Sequence, residues 1–357
     1  MATITRLRLR SLRLPAPNQR ISLTSAPAEP AEVFVVSLET DEGPSGLGFT
    51  TTSVGRSAMR PLIENDLFPL VIGEDPTRTD RLFAKAHAHF RTAGWRGLVC
   101  RAWAAIDIAL WDLKAKLAGQ PLHKLLGGTR PAASVYLSGI AQAGEDAAQA
   151  LALAKPLLAE GALGLYVEVG GGNVQMDADR VQRIRDGVGD DAWLGISAEG
   201  RYDLGTALAM AHFYEEDVGI DRYEAPLPAD DVKGYQRLAE RMEVPLALGG
   251  NLDRRDDFRQ LLERGDIRVL RPDVLRLGGI TPLLKIAAMA EAYPVVITPV
   301  RLPEIGVHLA CGLPNIDAVE FGTPLNGILT RPLRIVAGKL TPPEGVGHGF
   351  ELIPELE

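Results

Sequence analysis

Cysteine is scarce in this sequence, since only Cys100 and Cys311 occur in 357 residues. Both lie in stretches with helical periodicity, and their spacing is not that of a metal site. We therefore expect two buried free thiols and a protein of the reducing cytoplasm. No run of about 18 apolar residues occurs, which excludes a transmembrane helix. The first 15 residues alternate basic and apolar side chains without the apolar segment of a targeting peptide, so they are predicted to form a strand.

An excess of positive charge is also missing, because 38 Lys and Arg stand against 46 Asp and Glu. The formal net charge of -8 argues against nucleic acid or an anionic membrane as a partner. A small-molecule ligand is the partner that we expect. Apolar content of 46% and charged content of 24% are ordinary for a globular protein.

Eight short apolar runs recur between residues 134 and 322, and each is followed by a turn and helix-length sequence or by the chain's last segment. This alternation is typical of a parallel βα barrel, in which functional side chains lie at the C-terminal ends of the strands. The chain is long enough for a barrel of about 250 residues and a smaller second domain. The runs are SVYLSGI, LYVEVG, WLGISAEG, DRYEAPLP, PLALGGN, VLRPDV, VVITPV and DAVEFG.

Before the barrel, the pattern predicts a small α+β domain. A strand is predicted over 4–14, a hairpin over 33–51 and a long helix over 100–119, which ends at a Gly-Gln-Pro sequence. Residues 15–32 are rich in Pro and Ser and are predicted to be a long loop that covers a site.

Three segments follow from this division. The predicted boundaries are residues 1–128 for the N-terminal domain, 129–330 for the barrel and 331–357 for a C-terminal tail that returns to the N-terminal domain.

The predicted strand ends carry acids and no Lys or His. Glu168, Glu199, Glu224 and Asp273 occupy these positions, and the first three belong to neighbouring strands. Adjacent strands lie about 4.8 Å apart, so carboxylates there are expected within hydrogen-bond range of one another. A divalent cation, a proton or an arginine must then offset the repulsion.

Five segments together resemble the mandelate racemase/muconate lactonizing enzyme branch of the enolase superfamily. The resemblance implies a modified (β/α)7β TIM-like barrel beneath an N-terminal α+β capping domain, assembled as a homo-oligomer, a dimer or an octamer. The segments are AAIDIALWDLKAKLAGQPLHKLLGG, YEAPLP, RPDVLRLGGITPLLKIAAMAE, HLACGLPNIDAVEF and PEGVGHGFEL.

The resemblance also implies Mg²⁺ held by acids that end the third, fourth and fifth strands. Of those ligands Glu224 is present, whereas Ser197 and Gly250 stand at the other two positions. Glu199 lies two residues after Ser197 and is the predicted replacement. Mg²⁺ with Glu199 and Glu224 as ligands is therefore the only cofactor implied, and the replaced ligands argue against it.

In the family, a Lys or a His–Asp pair removes the proton next to a carboxylate. Tyr166 and Glu168 stand at the lysine positions, and Asp273 is present while its histidine partner is replaced by Val300. Tyrosine ionises near pH 10 and valine accepts no proton, so the inherited mechanism is not supported.

The candidate roles follow from these positions. The alternative for Asp273 is a purely structural role. For Glu224 the alternative is an ion pair with Arg201, Arg222 or Arg301. For Glu320 the two possibilities are a hydrogen bond to substrate and an ion pair. The predicted catalytic residues are Tyr166, Glu168 and Asp273, and the predicted substrate-binding residues are Arg201, Asn251, Arg301 and Glu320.

The sequence thus favours a racemase- or dehydratase-like lyase or isomerase with a non-standard mechanism and a diverged active site. Its substrate is expected to be a small polar metabolite, and a bare carboxylate would meet repulsion unless Arg201 or Arg301 offsets it. The alternative is a non-catalytic descendant that binds a small molecule or has a structural role.

Overall fold

The N-terminal part of the computed structural model contains a three-stranded antiparallel sheet in the order β1-β2-β3. The structure describes residues 2–13, 32–41, 43–322 and 325–356. The predicted first strand and hairpin are present, and the predicted covering loop over 15–32 lies outside the described residues except for Glu32. The strands are β1 (Ile4–Arg13), β2 (Glu32–Thr40) and β3 (Gly46–Thr52).

A buried helix lies against this sheet. Its backbone approaches β3 so closely that a Cβ atom at Gly48 would lie 1.9 Å from the carbonyl oxygen of Ala105. Gly46 and Gly48 are therefore required by packing, because any larger residue would push the helix away. The helices of this region are α1 (Arg56–Pro61), α2 (Thr79–His89), α3 (Leu98–Leu117), which packs on β3, and α4 (Leu122–Leu125).

Eight parallel strands follow, and their hydrogen-bonded order runs from β10 through β9, β8, β7, β6, β5 and β4 to β11. A single parallel bridge between Ile297 and Ile316 joins the two ends of that order. The strands are β4 (Ala133–Leu137), β5 (Gly164–Glu168), β6 (Trp193–Ser197), β7 (Arg222–Glu224), β8 (Leu246–Leu248), β9 (Val269–Leu270), β10 (Val296–Ile297) and β11 (Ala318–Phe321).

Helical segments connect each of these strands to the next, so the predicted (β/α)7β barrel with an N-terminal cap is confirmed. The connecting helices are α5 (Ala147–Ala159), α6 (Val174–Val188), α7 (Leu204–His212), α8 (Val232–Ala239), α9 (Arg255–Arg264), α10 (Val274–Leu277), α11 (Ile280–Ala290) and α12 (Pro303–Gly312).

Several strands are shorter than the apolar runs that predicted them. Pro272 and Pro299 lack an N–H group for the sheet, and β9 and β10 each end two residues before their proline. Glu199 lies in a turn two residues beyond β6, and Asp273 precedes α10 as its N-cap. These two acids are therefore loop and cap residues, which corrects the prediction that they end strands.

The C-terminal segment contacts both the barrel and the N-terminal region. Its strand β12 (Lys339–Leu340) pairs antiparallel with β4, and the backbone N–H of His348 donates to Oδ1 of Asp112 on α3 over 2.9 Å. The domain limits at residues 128 and 330 remain predictions. None of the helices in the described ranges is long and apolar enough to cross a membrane.

Candidate active site

A cavity of about 80 Å³ opens at the C-terminal ends of the barrel strands. The capping sheet contributes Thr51 to its wall, and Ser138, Ser197 and Asn251 add neutral hydrogen-bonding groups from the barrel. The cavity therefore presents both hydroxyl and charged groups to a bound molecule. Its charged lining residues are Glu168, Glu199, Glu224, Arg271, Arg301 and Glu320.

Arg271 lies at the centre of this group, directly after β9. Its Nε atom donates to Oε1 of Glu224 over 2.6 Å, and its Nη2 atom donates to Oε2 of Glu320 over 2.8 Å. The Nη1 atom donates to the hydroxyl of Tyr136 over 2.9 Å, and the side chain is only 3% exposed. One buried cation thus holds two acids at the C-terminal parts of two different strands, β7 and β11.

An aromatic surface supports the guanidinium group. The ring centre of Tyr166 lies 4.0 Å from the Cζ atom of Arg271, which is a close cation–π distance. Tyr166 also packs against Tyr136 and Trp193, with ring centres 5.4 and 5.1 Å away. Its buried hydroxyl has no hydrogen-bond partner in the described chain, and burial raises its pKa to about 12. The catalytic role of Tyr166 remains a prediction, and these contacts suit a supporting role better.

Glu224 is buried, and burial raises its pKa to about 6 although the nearby Arg271 cation opposes that shift. The prediction that Glu224 pairs with Arg201, Arg222 or Arg301 is wrong, because Arg271 forms the ion pair with Glu224. Arg222 instead lies with its Nη1 atom 3.4 Å from Oγ1 of Thr298. Glu320 forms the ion pair that was one of its two predicted alternatives.

Glu168 is the acid whose proton affinity suits proton transfer near neutral pH. Burial, and then the negative charge of Glu199, raise the pKa of Glu168 to about 7, while Arg201 acts in the opposite direction. The Nη2 atom of Arg201 lies 3.9 Å from Oε2 of Glu168, and its Nη1 atom donates to the carbonyl of Val169. Substrate binding by Arg201 stays a prediction, and Arg201 contacts Glu168 without being among the residues that line the cavity.

Asp273 has many partners and no exposed surface. Its Oδ1 atom accepts from the backbone N–H groups of Leu275 and Arg276, as an N-cap does. Its Oδ2 atom lies 3.3 Å from Nη2 of Arg101 and 3.1 Å from Nε of Arg301. The catalytic role of Asp273 remains a prediction, and this geometry corresponds to the structural alternative.

The backbone around the cavity is strained. Five described residues other than glycine have positive φ, and four of them line the cavity, namely Glu199, Ala225, Arg301 and Leu302. Such conformations cost on the order of 1–3 kcal/mol each and cluster at functional sites. These four residues follow the C-terminal ends of three barrel strands, β6, β7 and β10.

A divalent metal ion does not fit the donor set. Among the described residues no three acids, histidines or cysteines are grouped so as to hold one. Ser197 and Gly250 supply no carboxylate, and Glu224 is already bound to Arg271. A divalent ion ~4 Å from that guanidinium would meet a repulsion of roughly 8 kcal/mol at an effective dielectric constant of 20. The assignment of Glu199 and Glu224 as metal ligands stays a prediction that this geometry does not favour.

Arg271 was missed by sequence reasoning. The rule that the polar residue before a turn is the functional one points to Asp273, two residues later. The available signal was a charged residue inside the apolar run VLRPDV, directly before a proline.

Two family profiles match nearly the whole chain. The Mandelate racemase / muconate lactonizing enzyme N-terminal domain matches residues 6–127, and the Enolase C-terminal domain-like family matches residues 149–356.

Several known proteins are similar to this chain. A 3,6-anhydro-alpha-L-galactonate cycloisomerase of Streptomyces coelicolor is 30% identical over 98% of this chain and 97% of its own. The crystal structure of an L-talarate dehydratase from Polaromonas sp. JS666, complexed with Mg and L-glucarate, superposes with a TM-score of 0.89 at 31% identity, covering 100% of this chain and 96% of its own. A racemase from Streptomyces coelicolor A3(2) with bound magnesium gives 0.91 at 30% identity, with 98% and 97% covered.

Proposed function

Because the chain belongs to the mandelate racemase/muconate lactonizing enzyme branch of the enolase superfamily, we propose that it is a lyase or isomerase of a polyhydroxylated, sugar-acid-like metabolite. The relatives named above are a cycloisomerase, a dehydratase and a racemase, which supports a lyase or isomerase. In those relatives of known structure Mg is present, which gives Mg²⁺ more support at this fold than the sequence alone gave. In this chain the described residues around Glu224 do not match the ligands of that ion, so the proposed proton transfer relies on side chains of the chain itself.

The observation that carries the proposal is the strained rim of the cavity. Glu199, Ala225, Arg301 and Leu302 all line it with positive φ. A protein with only a structural role gains nothing from this strain, whereas a site that must aim side chains at a substrate does. The alternative of a non-catalytic descendant draws its support from Ser197 and Gly250, which supply no metal ligand.

The cavity offers many hydrogen-bond acceptors. The carboxylates of Glu199 and Glu320 accept hydrogen bonds from hydroxyl donors, and the cavity lining also includes Ser138 and Asn251. A polyhydroxylated chain provides such donors at successive carbons. The acceptor-rich wall therefore fits a sugar-derived molecule better than an apolar one.

Arg301 is the group that would bind a carboxylate. Its Nε atom is held by Asp273, its side chain is 18% exposed, and it lines the cavity. The paired Nη groups of a guanidinium match a carboxylate in a two-point contact. Arg201 lies outside the lining, and the guanidinium nitrogens of Arg271 are engaged by Glu224, Tyr136 and Glu320. Among the described lining residues Arg301 is therefore the anchor for a single carboxylate, and the rest of the molecule should be uncharged.

Glu168 would transfer the proton. Its carboxyl is part ionised near neutral pH, so it accepts a proton from a substrate carbon in one step and returns it in another. Tyr166, with a pKa raised to about 12, does not match that task. Arg301 would hold the substrate while Glu168 reacts.

Proton exchange tests this proposal directly. The full-length protein is incubated in D₂O with a panel of sugar acids and their lactones, with and without a chelator, and followed by ¹H NMR. We expect loss of one carbon-bound proton signal, or a new product, for at least one compound. Glu168→Gln should abolish it, while Glu240→Gln, at an exposed site, should not.

Two outcomes would count against the proposal. No exchange, with binding seen by saturation transfer, would support the non-catalytic alternative. Exchange that survives Glu168→Gln would place the base elsewhere. We further propose a cytoplasmic homo-oligomer, a dimer or an octamer, which light scattering of the purified protein would test.

A further inference from the structure

We propose that the guanidinium of Arg271 is the resident cation of this site and takes the place of a divalent metal ion beside Glu224. This inference does not rest on the substrate class, because metal binding is measured without turnover. In this proposal Arg271 sets the charge and the position of Glu224 and Glu320 in the cavity.

The contacts of Arg271 resemble those that fix a bound ion. Three of its nitrogen atoms are engaged: Nε with Glu224, Nη2 with Glu320 and Nη1 with the Tyr136 hydroxyl. The ring of Tyr166 covers one face of the group at 4.0 Å. A guanidinium held by charged and neutral oxygens from three different strands has no freedom to leave the site.

Arg271 offsets part of the negative charge of this group. Glu224 and Glu320 carry two negative charges when ionised, and Arg271 offsets one of them. A metal ion in solution would have to displace the guanidinium of Arg271. This cation is part of the chain directly after β9, so its effective concentration at the site is high. The metal ion would gain Glu224 and Glu320 as ligands only by leaving the buried Arg271 charge without a carboxylate partner.

Gly250, which lies beside Glu224, is consistent with a guanidinium in place of a metal ion. A Cβ atom built at Gly250 would lie 3.9 Å from Oε1 of Glu224 and 3.8 Å from the carbonyl oxygen of Arg271, which are ordinary contacts. A side chain is therefore sterically acceptable there, and the absence of a carboxylate at Gly250 leaves the space beside Glu224 to Arg271. The same position allows the inference to be tested by adding a ligand.

The first experiment titrates the wild-type protein with Mn²⁺ alone and follows free Mn²⁺ by electron paramagnetic resonance. We expect the signal of free Mn²⁺ to be unchanged by the protein up to millimolar metal. Stoichiometric binding that Mg²⁺ displaces, and that Glu224→Gln removes, would overturn the inference.

The second experiment compares two variants that differ only at Arg271. Gly250→Glu adds a carboxylate beside Glu224 but keeps the guanidinium, and Gly250→Glu with Arg271→Met removes it. We expect the double variant to bind Mn²⁺ at least about ten-fold more tightly than the single variant, with folding of both checked by circular dichroism. Equal affinities in two folded variants would show that Arg271 does not hold the metal's place. If the double variant does not fold, the wild-type titration decides alone.

Discussion

The Nε atom of Arg301 donates to Oδ2 of Asp273 over 3.1 Å, so Asp273 is paired with the residue next to Val300. The family resemblance pairs this acid with a base at position 300, which is valine here. Arg101 of α3 also contacts Oδ2 of Asp273 and donates to the carbonyl of Thr51. Asp273 thereby links the capping region to the cavity residue Arg301.

Asp273→Asn should lower the free energy of unfolding by about 3–5 kcal/mol, because Arg101 and Arg301 lose a buried counter-charge. Asparagine keeps the N-cap hydrogen bonds, so the loss reports the charge alone. Urea unfolding followed by circular dichroism measures it. Asp203→Asn, at an exposed N-cap, is the control and should change stability by less than about 1 kcal/mol. Equal effects of the two changes would contradict this role.

Arg271→Met should destabilise the protein by about 3–5 kcal/mol at pH 8, because Glu224 and Glu320 lose their shared cation. The pKa of Glu224 is already raised to about 6, and losing Arg271 raises it further. The folded state then takes up a proton as pH falls, so the deficit should shrink at pH 5.5. Urea unfolding at both pH values measures this, with Arg271→Lys as the charge-preserving control. A deficit independent of pH would contradict the ion-pair account.

The barrel could be predicted from the sequence because the alternation of strand and helix is a local pattern. Each run such as LYVEVG carries its own apolar periodicity, whatever the rest of the chain does. The two-residue strand β12 could not be predicted, since its pairing with β4 depends on a tail segment from a distant part of the chain. That Glu168 and Glu224 would lie close together could be predicted as well, because the C-terminal ends of parallel barrel strands meet at one face.

The partner of Glu224 could not be predicted for a different reason. Arg271 lies 47 residues after Glu224 and 49 before Glu320, so these contacts exist only once the barrel has closed. The direction of a long side chain is also not encoded by position along a strand. Arg201 was expected in the cavity, but its Nη1 atom is held by the Val169 carbonyl.

If Glu168 is the base, its ionisation should control the rate. We expect kcat/KM to rise with pH, with its midpoint near pH 7, and to level off at higher pH where the carboxylate form is complete. Glu199→Gln removes a charge that raises this pKa, so the rise should move to lower pH. Arg201→Met removes a charge that lowers it, so the rise should move to higher pH. A pH profile unmoved by both variants would show that another group titrates.

Glu304, in the first turn of α12, should make the protein less stable as pH rises. Its side chain is fully buried, neither carboxylate oxygen has a hydrogen-bond partner in the described part of the chain, and burial raises its pKa to about 8. The unfolded chain releases this proton near pH 4.5 and the folded chain holds it until about pH 8, so the stability that the protonated form contributes is lost across that window. Each pH unit removes up to about 1.4 kcal/mol of the free energy of unfolding.

Glu304→Gln cannot ionise, so between pH 5 and pH 8 its free energy of unfolding should increase relative to that of the wild type, as measured by urea unfolding. Glu291→Gln, at an exposed site, should leave the wild-type slope unchanged, and an unchanged slope for Glu304→Gln would mean that Glu304 ionises freely in the folded protein.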